Sequence, residues 1–276
     1  MLFLVLILQA EIKAQVSKSA PLTIGITEKF HSKILGETRT INIYVPKNYD
    51  PNDTAKYPVI LIPDGGTEED FIHIAGIVHY NTQPWTARFP KSIVVGIENT
   101  NRKRDFTFPV PNLDFLDKTG YRKEDIPEHG GSEKYIAFIE KELMPYLKKR
   151  YKTSLERTII GESLAGLLAA EILLNHTDMF DTYIIVSPSL WWDHGSLLKQ
   201  INKIKSLNNE VKLYIGVPNE SEDKKMFSDA KTFYSIISKN KNITACFDHI
   251  IDESHATVFH QAVYNGFKKL YPKIKK

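Results

Sequence analysis

The sequence predicts an α/β protein in which a mostly parallel central sheet carries helices on both faces, with an antiparallel hairpin at the N-terminal end. Three observations support this fold class. Short apolar runs, such as residues 58–62 and 92–97, have the composition of strands that are buried on both faces. Helical patterns alternate with these runs along the chain. Polar segments follow the apolar runs repeatedly, as expected at the carboxyl edge of such a sheet.

The N-terminal hairpin is predicted from two strand-like stretches, residues 23–30 and 39–45. In the second stretch, apolar residues alternate with polar ones, which is the pattern of a strand with one face against the core. Gly36 lies between the two stretches and gives the chain a place to turn. A loop rich in proline, asparagine and aspartate then separates the hairpin from the first buried strand, residues 58–62.

Helices and strands alternate from this point to the end of the chain. A helix at about residues 68–78 is followed by the strand 92–97. Residues 105–131 show no periodicity, and a loop of this length in a compact domain usually has a function or is disordered. The remaining predicted elements are an amphipathic helix at 132–151, a strand ending at Gly161, a helix after Ser163, strands at 183–186, 211–217 and 243–250, and helices at about 196–207, at about 223–238 and ending near 270.

Length and composition indicate a single globular domain, residues 15–276. Of the 276 residues, 42% are hydrophobic and 25% are charged, which is enough apolar material for one large core. The formal net charge is only +3 and no basic stripe with interleaved aromatics is present, so the composition argues against nucleic-acid binding. The single cysteine, Cys246, excludes an internal disulfide, and no Cys/His cluster suggests a zinc site.

Residues 1–14 have the character of a secretory signal peptide. Residues 2–8 form an apolar run that is too short to span a bilayer, and Ala14 stands before a plausible cleavage point. We therefore expect an exported protein, periplasmic or extracellular, without stable membrane insertion once the signal is removed. The alternative is a buried first element of a cytoplasmic protein, since no Lys or Arg follows Met1 and Ile12 is larger than the usual residue at its position.

A serine stands at the junction between a predicted strand and a predicted helix. The apolar run ends at Gly161, Ser163 follows, and a pattern of small residues typical of a helix begins directly afterwards. This strand–turn–helix arrangement is that of a nucleophile elbow, in which glycine permits the tight turn and the serine hydroxyl is exposed. Ala165 replaces the second glycine of the motif. The alternative interpretation is an ordinary helix N-cap, for which serine is also favoured.

A serine nucleophile needs a base, and the base needs an orienting group. His255 lies in the loop after the last predicted strand and is the predicted base. The acid is expected between the serine and the histidine in the chain. Glu220, which follows the strand 211–217, fits best, and Glu222 and Asp223 are rivals in the same loop. Each of these residues alone has an ordinary solvated alternative, so the hypothesis depends on their order after the strands.

The transition state of acyl transfer also needs N–H groups that point at the developing oxyanion. We expect one from Leu164, which directly follows the nucleophile. We expect a second from Gly65 in the Asp64-Gly65-Gly66 segment, because glycines let the backbone approach a substrate closely. The alternative is that this segment is only a turn.

Several segments resemble the esterase family that includes esterase D and the enterobactin-type siderophore esterases, within the α/β-hydrolase superfamily. The most specific are Arg-x-Arg-Asp, Gly-x-Ser and Ser-Pro-Ser-x-Trp-Trp, which occur in this order. The resemblance covers most of the chain beyond about Arg39, in residues 57–65, 93–100, 102–109, 130–132, 142–146, 161–167, 187–193 and 253–255. The chain departs from the family pattern at Pro63 and Ala165, beside the expected oxyanion donors, and at Pro218, before the expected acid.

The resemblance implies an α/β-hydrolase fold in which Ser163 is the nucleophile and His255 the base. It also implies a substrate site whose mouth is shaped by charged residues and whose wall is aromatic. The mouth residues are Arg102, Arg104 and Asp105, and the wall residues are Trp191 and Trp192.

Together, the motifs and the resemblance predict a serine hydrolase that cleaves carboxylic esters through an acyl-enzyme, without a metal or cofactor. Its partner would be a small-molecule or carbohydrate ester in the exported compartment, such as a siderophore or an ester-decorated polysaccharide. One alternative is an acyltransferase that uses the same triad, and another is a non-catalytic binding module on the hydrolase fold. No feature of the sequence indicates an oligomeric state.

Overall fold

The computed structural model describes residues 18–201, 207 and 209–272, so the predicted signal peptide lies outside the described residues. Eight strands form one sheet in the order β1-β2-β4-β3-β5-β6-β7-β8. Their bounds are β1 Ile26–Ser32, β2 Glu37–Tyr44, β3 Tyr57–Ile62, β4 Ile93–Ile97, β5 Thr153–Glu162, β6 Thr182–Val186, β7 Val211–Val217 and β8 Ile243–His249. Strand β2 is antiparallel to both of its neighbours, β1 and β4, and all other pairs are parallel. The predicted mostly parallel sheet with an N-terminal antiparallel hairpin is confirmed.

Helices cover both faces of this sheet, as predicted. Their bounds are α1 Phe71–Asn81, α2 Arg102–Asp105, α3 Ser132–Phe138, α4 Met144–Arg150, α5 Leu164–Asn175, α6 Trp192–Gln200, α7 Lys224–Ile237 and α8 Val258–Leu270. Helices α1 and α8 pack on one face, where Ile160 of β5 contributes to the apolar cluster. Helices α3 to α7 pack on the other face, where its neighbour Ile159 contributes. Successive strand side chains point to opposite faces, so one continuous apolar run supplies both cores.

The local structure differs from the sequence-based expectation in three places. The segment 102–105, for which the sequence predicted no helix, forms the short helix α2, in which the Asn101 side chain accepts from the Arg104 N–H. The predicted helix 132–151 is present, but a π-helical turn at Ile139–Leu143 joins α3 to α4. Helix α6 begins at Trp192, earlier than expected, and its residues 193–195 have positive φ angles. Within the described part of the chain, no helix is long and apolar enough to cross a membrane.

A carboxyl group on α5 is buried in the helical layer. Glu171 is 7% exposed, and the Ser132 hydroxyl donates to its Oε1 at 3.0 Å. Among the described residues, its Oε2 has no hydrogen-bond partner. Burial raises the pKa of Glu171 to about 7, against the smaller opposing effect of the Ser132 hydrogen bond.

We expect Glu171→Gln to stabilise the protein at pH 8 and to have little effect at pH 4. The folded-state pKa of Glu171 is raised above its usual 4.5, so the folded protein holds this proton over a range in which the unfolded chain has lost it. Stability is therefore lost as the pH rises from about 4.5 to about 7, by up to about 3 kcal/mol. Urea unfolding at several pH values measures the difference, and Glu140→Gln at an exposed position of the turn after α3 is the control. An equal stability gap at pH 4 and pH 8 would contradict the expectation.

Candidate active site

Ser163 lies on a strained turn between β5 and α5. Its φ and ψ are 56° and −115°, which a non-glycine residue adopts only when the surrounding structure holds it there. Its N–H donates to the Val186 carbonyl at 3.0 Å, which ties the turn to the end of the neighbouring strand β6. A Cβ at Gly161 would lie 2.4 Å from the Ala165 carbonyl oxygen, so this position requires glycine. The turn therefore has the geometry of a nucleophile elbow.

Helix α5 begins immediately after the serine. Leu164 is its first residue, so the Leu164 N–H has no acceptor within the helix and remains available to an anion. Ala165 is fully buried against Gly161, and it contacts that glycine mainly through its backbone carbonyl. An alanine at this position is compatible with the elbow because its side chain adds only one methyl group there.

The loop that follows β6 contacts both predicted catalytic residues. The Ser189 N–H donates to the Ser163 carbonyl at 2.9 Å, and the Ser189 and Ser163 hydroxyl oxygens are 3.2 Å apart. Ser187 Oγ lies 2.9 Å from Nδ1 of His255. The sequence analysis did not assign a role to Ser187 or Ser189. Both serines belong to the Ser-Pro-Ser-x-Trp-Trp segment directly after a buried strand, and this position was the signal in the sequence that could have identified them.

His255 lies in the loop between β8 and α8 and is half-buried. Its pKa is lowered, first by burial and then by the positive charge of Arg102, while the charges of Glu222 and Asp223 oppose the shift. A neutral imidazole at pH 7 is the form that a general base needs. Among the described residues, no hydrogen bond joins His255 to the Ser163 hydroxyl, and such contacts often tighten only when a substrate is bound.

The three acidic candidates differ in their relation to His255. Glu222 accepts a hydrogen bond from the His255 backbone N–H, with Oε2 at 2.5 Å. Asp223 caps α7 by accepting from the Met226 N–H at 2.9 Å, and its charge also acts on His255. Glu220 is exposed and lines a separate cleft of about 560 Å³ on the outer side of α7. The structure thus brings Glu222 and Asp223 to His255 and places Glu220 away from it.

The two expected oxyanion donors also differ. The Leu164 N–H lies at the start of α5, where the helix offers it no acceptor, whereas the Gly65 N–H donates to the Ile97 carbonyl at 2.9 Å. A Cβ at Gly65 would lie 2.2 Å from the Gly96 Cα, so glycine is required there by the close packing of β3 and β4. The structure therefore leaves the Leu164 N–H free for an oxyanion and commits that of Gly65 to the backbone.

Arg102 joins the elbow to the turn after β3. Its guanidinium donates to both carboxylate oxygens of Asp64, at 2.7 and 2.9 Å, and to the Glu162 carbonyl at 3.1 Å. Burial raises the pKa of Glu162 to about 8, and the Asp70 charge adds to this effect. Burial similarly raises the pKa of Asp70 to about 7. Glu162 is therefore protonated over much of the neutral pH range and Asp70 over part of it, which limits the negative charge behind the nucleophile.

Arg104 and Asp105 form ion pairs with residues of strand β2, whereas the resemblance implied that they shape the mouth of the substrate site. Asp105 is 1% exposed and binds the fully buried Arg39 at 2.7 Å and Arg104 at 2.8 Å. Arg104 also binds Glu37 at 2.7 Å. These contacts fix α2 onto strand β2, so both residues support the helix that begins with Arg102.

An aromatic cleft of about 400 Å³ opens beside His255. Trp191 lines it and stacks on Tyr121, with ring centroids 5.4 Å apart and planes inclined by 27°. Trp192 is fully buried behind the cleft, and its indole N–H donates to the Phe108 carbonyl at 3.0 Å. Of the two predicted wall residues, only Trp191 therefore faces the cleft. The remaining lining residues are Phe115, Thr119, Gly120, His194, Glu222, Asp223, Lys225 and Met226.

The described part of the chain contains no group of three or more His, Cys, Asp or Glu side chains that could hold a metal ion. Ser163, His255 and the Leu164 N–H are the kinds of group that nucleophilic acyl transfer uses, in which a serine attacks, a histidine moves the proton and a backbone donor stabilises the oxyanion.

Comparison with known proteins identifies the family. The family model described as "Putative esterase" matches residues 32–273. The ferri-bacillibactin esterase BesA of Bacillus subtilis (strain 168) is 31% identical over 260 residues, which is 87% of this chain and 88% of that protein. The IroE-like serine hydrolase from Shewanella oneidensis has a TM-score of 0.81 and 26% identity, covering 91% of this chain and 82% of that one. The BES protein from Bacillus cereus shares the fold, with a TM-score of 0.78, 24% identity and coverage of 93% and 99%.

The match of the family model over most of the chain agrees with the elbow at Ser163 and with the strand order of the α/β-hydrolase fold. The chain is a carboxylic ester hydrolase and belongs to the esterase family that includes the siderophore esterases.

Proposed function

We propose that the protein hydrolyses siderophore-type esters through an acyl-enzyme formed on Ser163, with His255 as the base. One observation carries the proposal. The loop after β6 contacts Ser163 through Ser189 and His255 through Ser187, so one rigid segment sets the position of both residues. The similarity to a ferri-bacillibactin esterase over 87% of the chain supports the choice of substrate class.

The proposed reaction begins with proton transfer from the Ser163 hydroxyl to Nε2 of His255, as Ser163 Oγ attacks the ester carbonyl. The Leu164 N–H stabilises the oxyanion of the tetrahedral intermediate. His255 then gives the proton to the leaving alkoxide, and the acyl group remains on Ser163. In the second half, His255 takes a proton from water, hydroxide attacks the acyl carbonyl, and the acid product leaves as Ser163 regains its proton.

The cleft supports an aromatic ester more than a purely carbohydrate one. Trp191, Tyr121 and Phe115 present ring surfaces beside His255, and Lys225 contributes a cationic group at the same cleft. Aromatic rings stack on such surfaces. Lys225 is bound to Asp229 at 2.6 Å, and the carboxylates of Glu222 and Asp223 line the same cleft, so the aromatic surfaces carry the argument. Export to an extracytoplasmic compartment, which would suit an iron-carrier ester, remains a proposal based on residues 1–14.

The proposal is tested with a chromogenic short-chain ester, ferri-bacillibactin and a feruloylated oligosaccharide as substrates, together with a fluorophosphonate probe. We expect turnover of the chromogenic ester, a higher kcat/KM for ferri-bacillibactin than for the oligosaccharide, and probe attachment at Ser163 in peptide mapping. A wild-type protein that neither turns over an ester nor is labelled at Ser163 would refute the serine-hydrolase mechanism. Preference for the oligosaccharide would refute only the substrate class.

The acid is assigned by a matched pair of variants. We expect Glu222→Gln to lower kcat/KM about 10-fold, because Glu222 binds the His255 backbone N–H and its charge favours the imidazolium that forms in the transition state. Glu220→Gln removes the same charge from the same loop at a side chain that lines the separate cleft beside α7, and we expect a smaller loss. Steady-state kinetics with the chromogenic ester compares them. A larger loss for Glu220→Gln would return the acid role to Glu220.

A further inference from the structure

Ser187 holds a conformation that a serine does not adopt without support. It directly follows β6, is fully buried, and has a φ of 41°. A positive φ costs a non-glycine residue roughly 1–3 kcal/mol, so the surrounding structure must compensate. The Ser187 N–H donates to the Gly216 carbonyl at 2.8 Å, which fixes the residue against the end of β7. The strained backbone directs the side chain toward the loop that carries His255.

The Ser187 hydroxyl has two partners at the same distance. Its oxygen is 2.9 Å from Nδ1 of His255 and 2.9 Å from Sδ of Met226. A hydroxyl has one hydrogen to donate, and a thioether sulfur can only accept. If the Ser187 hydrogen points to the sulfur, its oxygen accepts from an Nδ1–H of His255. Both contacts are then satisfied, with one donor for each acceptor.

This pattern selects the catalytic tautomer of the imidazole. A proton on Nδ1 leaves the lone pair on Nε2, which is the nitrogen that must take the Ser163 proton. In a Ser-His-Asp triad, a buried carboxylate fulfils this role at Nδ1. Here the nearest carboxylate, Glu222, accepts from the backbone N–H of His255 and not from its ring.

We propose that Ser187 is the positioning residue for His255, occupying with a neutral hydroxyl the place at Nδ1 that a triad carboxylate usually takes. The proposal deepens the proposed function and rests on it, since it assigns a role within the Ser163–His255 mechanism. Met226 contributes to this arrangement because its sulfur accepts the hydrogen bond from the Ser187 hydroxyl.

A neutral partner has a different electrostatic consequence from a carboxylate. The Ser187 hydroxyl favours the tautomer of His255 that is protonated at Nδ1, but it has no negative charge to stabilise the imidazolium. The charged groups that act on His255 are Glu222 and Asp223, which favour the imidazolium, and Arg102, which disfavours it. Burial lowers the pKa of His255 further. The base therefore stays unprotonated to lower pH than a carboxylate-paired histidine would.

The first measurement does not depend on turnover. In the ¹⁵N NMR spectrum of the wild-type protein at pH 8, we expect the His255 ring to be protonated at Nδ1. In Ser187→Ala, which removes the acceptor, we expect a mixture of the two neutral tautomers. A wild-type ring protonated mainly at Nε2 would overturn the proposal even if the protein is an active esterase.

The second measurement is kinetic. We expect Ser187→Ala to lower kcat about 10- to 100-fold with KM changed less than about 2-fold, because a misplaced base weakens proton transfer but not substrate binding. Ser187→Asp restores an acceptor at Nδ1 and adds a charge, so we expect partial recovery of kcat and an acidic limb of kcat/KM that moves to higher pH. Ser92→Ala is the control, since Ser92 is equally buried but lies at the opposite end of the sheet.

The outcomes separate the two proposals. If the wild type is active and is labelled at Ser163 while Ser187→Ala keeps its kcat and pH profile, the positioning role is wrong and the proposed function stands. If Ser187→Ala loses activity with no change in tautomer and no shift in Ser187→Asp, the loss is structural and the positioning role is also wrong. If the wild type shows no turnover and no labelling, the proposed function fails, while the tautomer measurement still reports on Ser187.

Discussion

Ser163→Ala is expected to reduce ester turnover by roughly 10⁵-fold or more, because it removes the hydroxyl that we propose as the nucleophile. The variant keeps a Cβ on the same strained turn, and the contact it loses with a protein group is the one to the Ser189 hydroxyl at 3.2 Å. Stability should therefore change little, and the thermal unfolding temperature is measured in parallel. Turnover of the chromogenic ester and labelling by the fluorophosphonate probe should disappear together.

Ser189→Ala is the matched comparison for this prediction. Ser189 is as buried as Ser163 and lies within hydroxyl contact of it, but it follows β6 and not the elbow. We expect Ser189→Ala to remain labelled at Ser163 and to retain most of its turnover. If Ser163→Ala remained active and Ser189→Ala did not, the nucleophile would be Ser189 and the elbow would have only a structural role.

The fold could be predicted because its strands are encoded locally. Runs such as 58–62 and 183–186 contain almost only apolar residues, and burial on both faces of a sheet requires such a composition. Gly161 and Ser163 could be identified for a similar reason, since the elbow is a property of six consecutive residues. Helix α2 could not be predicted from the sequence. The segment Arg-Lys-Arg-Asp has no apolar period, and only the structure shows that Asn101 caps its helical turn.

The parts of the site that the sequence did not predict depend on contacts between distant residues. The contact of Ser187 with His255 joins residues 68 positions apart, and nothing in either segment encodes it. The sequence could not identify the catalytic acid, because Glu220 and Glu222 lie in the same short loop. Only the folded structure shows that Glu222 contacts His255 and that Glu220 lines another cleft. Trp191 and Trp192 are adjacent, and only the tertiary packing decides that the first lines the cleft and the second is buried.

One long-range contact did leave a signal in the sequence. Arg39, Ile41 and Ile43 are alternate residues of the predicted strand 39–45, so their side chains point to the same face of the sheet. An arginine on a core-facing position needs a buried acidic partner. The partner is Asp105, which the sequence analysis had placed at the mouth of the substrate site.

Asp105→Asn is expected to destabilise the protein by about 3–5 kcal/mol, because it leaves the fully buried guanidinium of Arg39 without its closest buried counter-charge. Among the described residues, Nε and one terminal nitrogen of Arg39 already have no hydrogen-bond partner, and the other terminal nitrogen binds both Asp105 and the partly exposed Glu37, so Asp105 is its buried carboxylate partner. Urea unfolding measures the loss. Asp125→Asn is the control: it breaks an exposed pair with Arg122 of the same 2.7 Å length, and we expect little change in its unfolding midpoint.

The same substitution should affect catalysis through the position of α2. Asp105 is the last residue of that helix, and Arg102 at its start holds the Glu162 carbonyl next to the nucleophile. We therefore expect Asp105→Asn to lower kcat at temperatures well below its unfolding transition. The double variant Arg39→Met/Asp105→Leu removes both buried charges and should recover much of the stability, as replacement of buried ion pairs by apolar residues often does. If Asp105→Asn were as stable as Asp125→Asn, the Arg39–Asp105 pair would not anchor α2, and Arg102 would be held in place by its contact with Asp64.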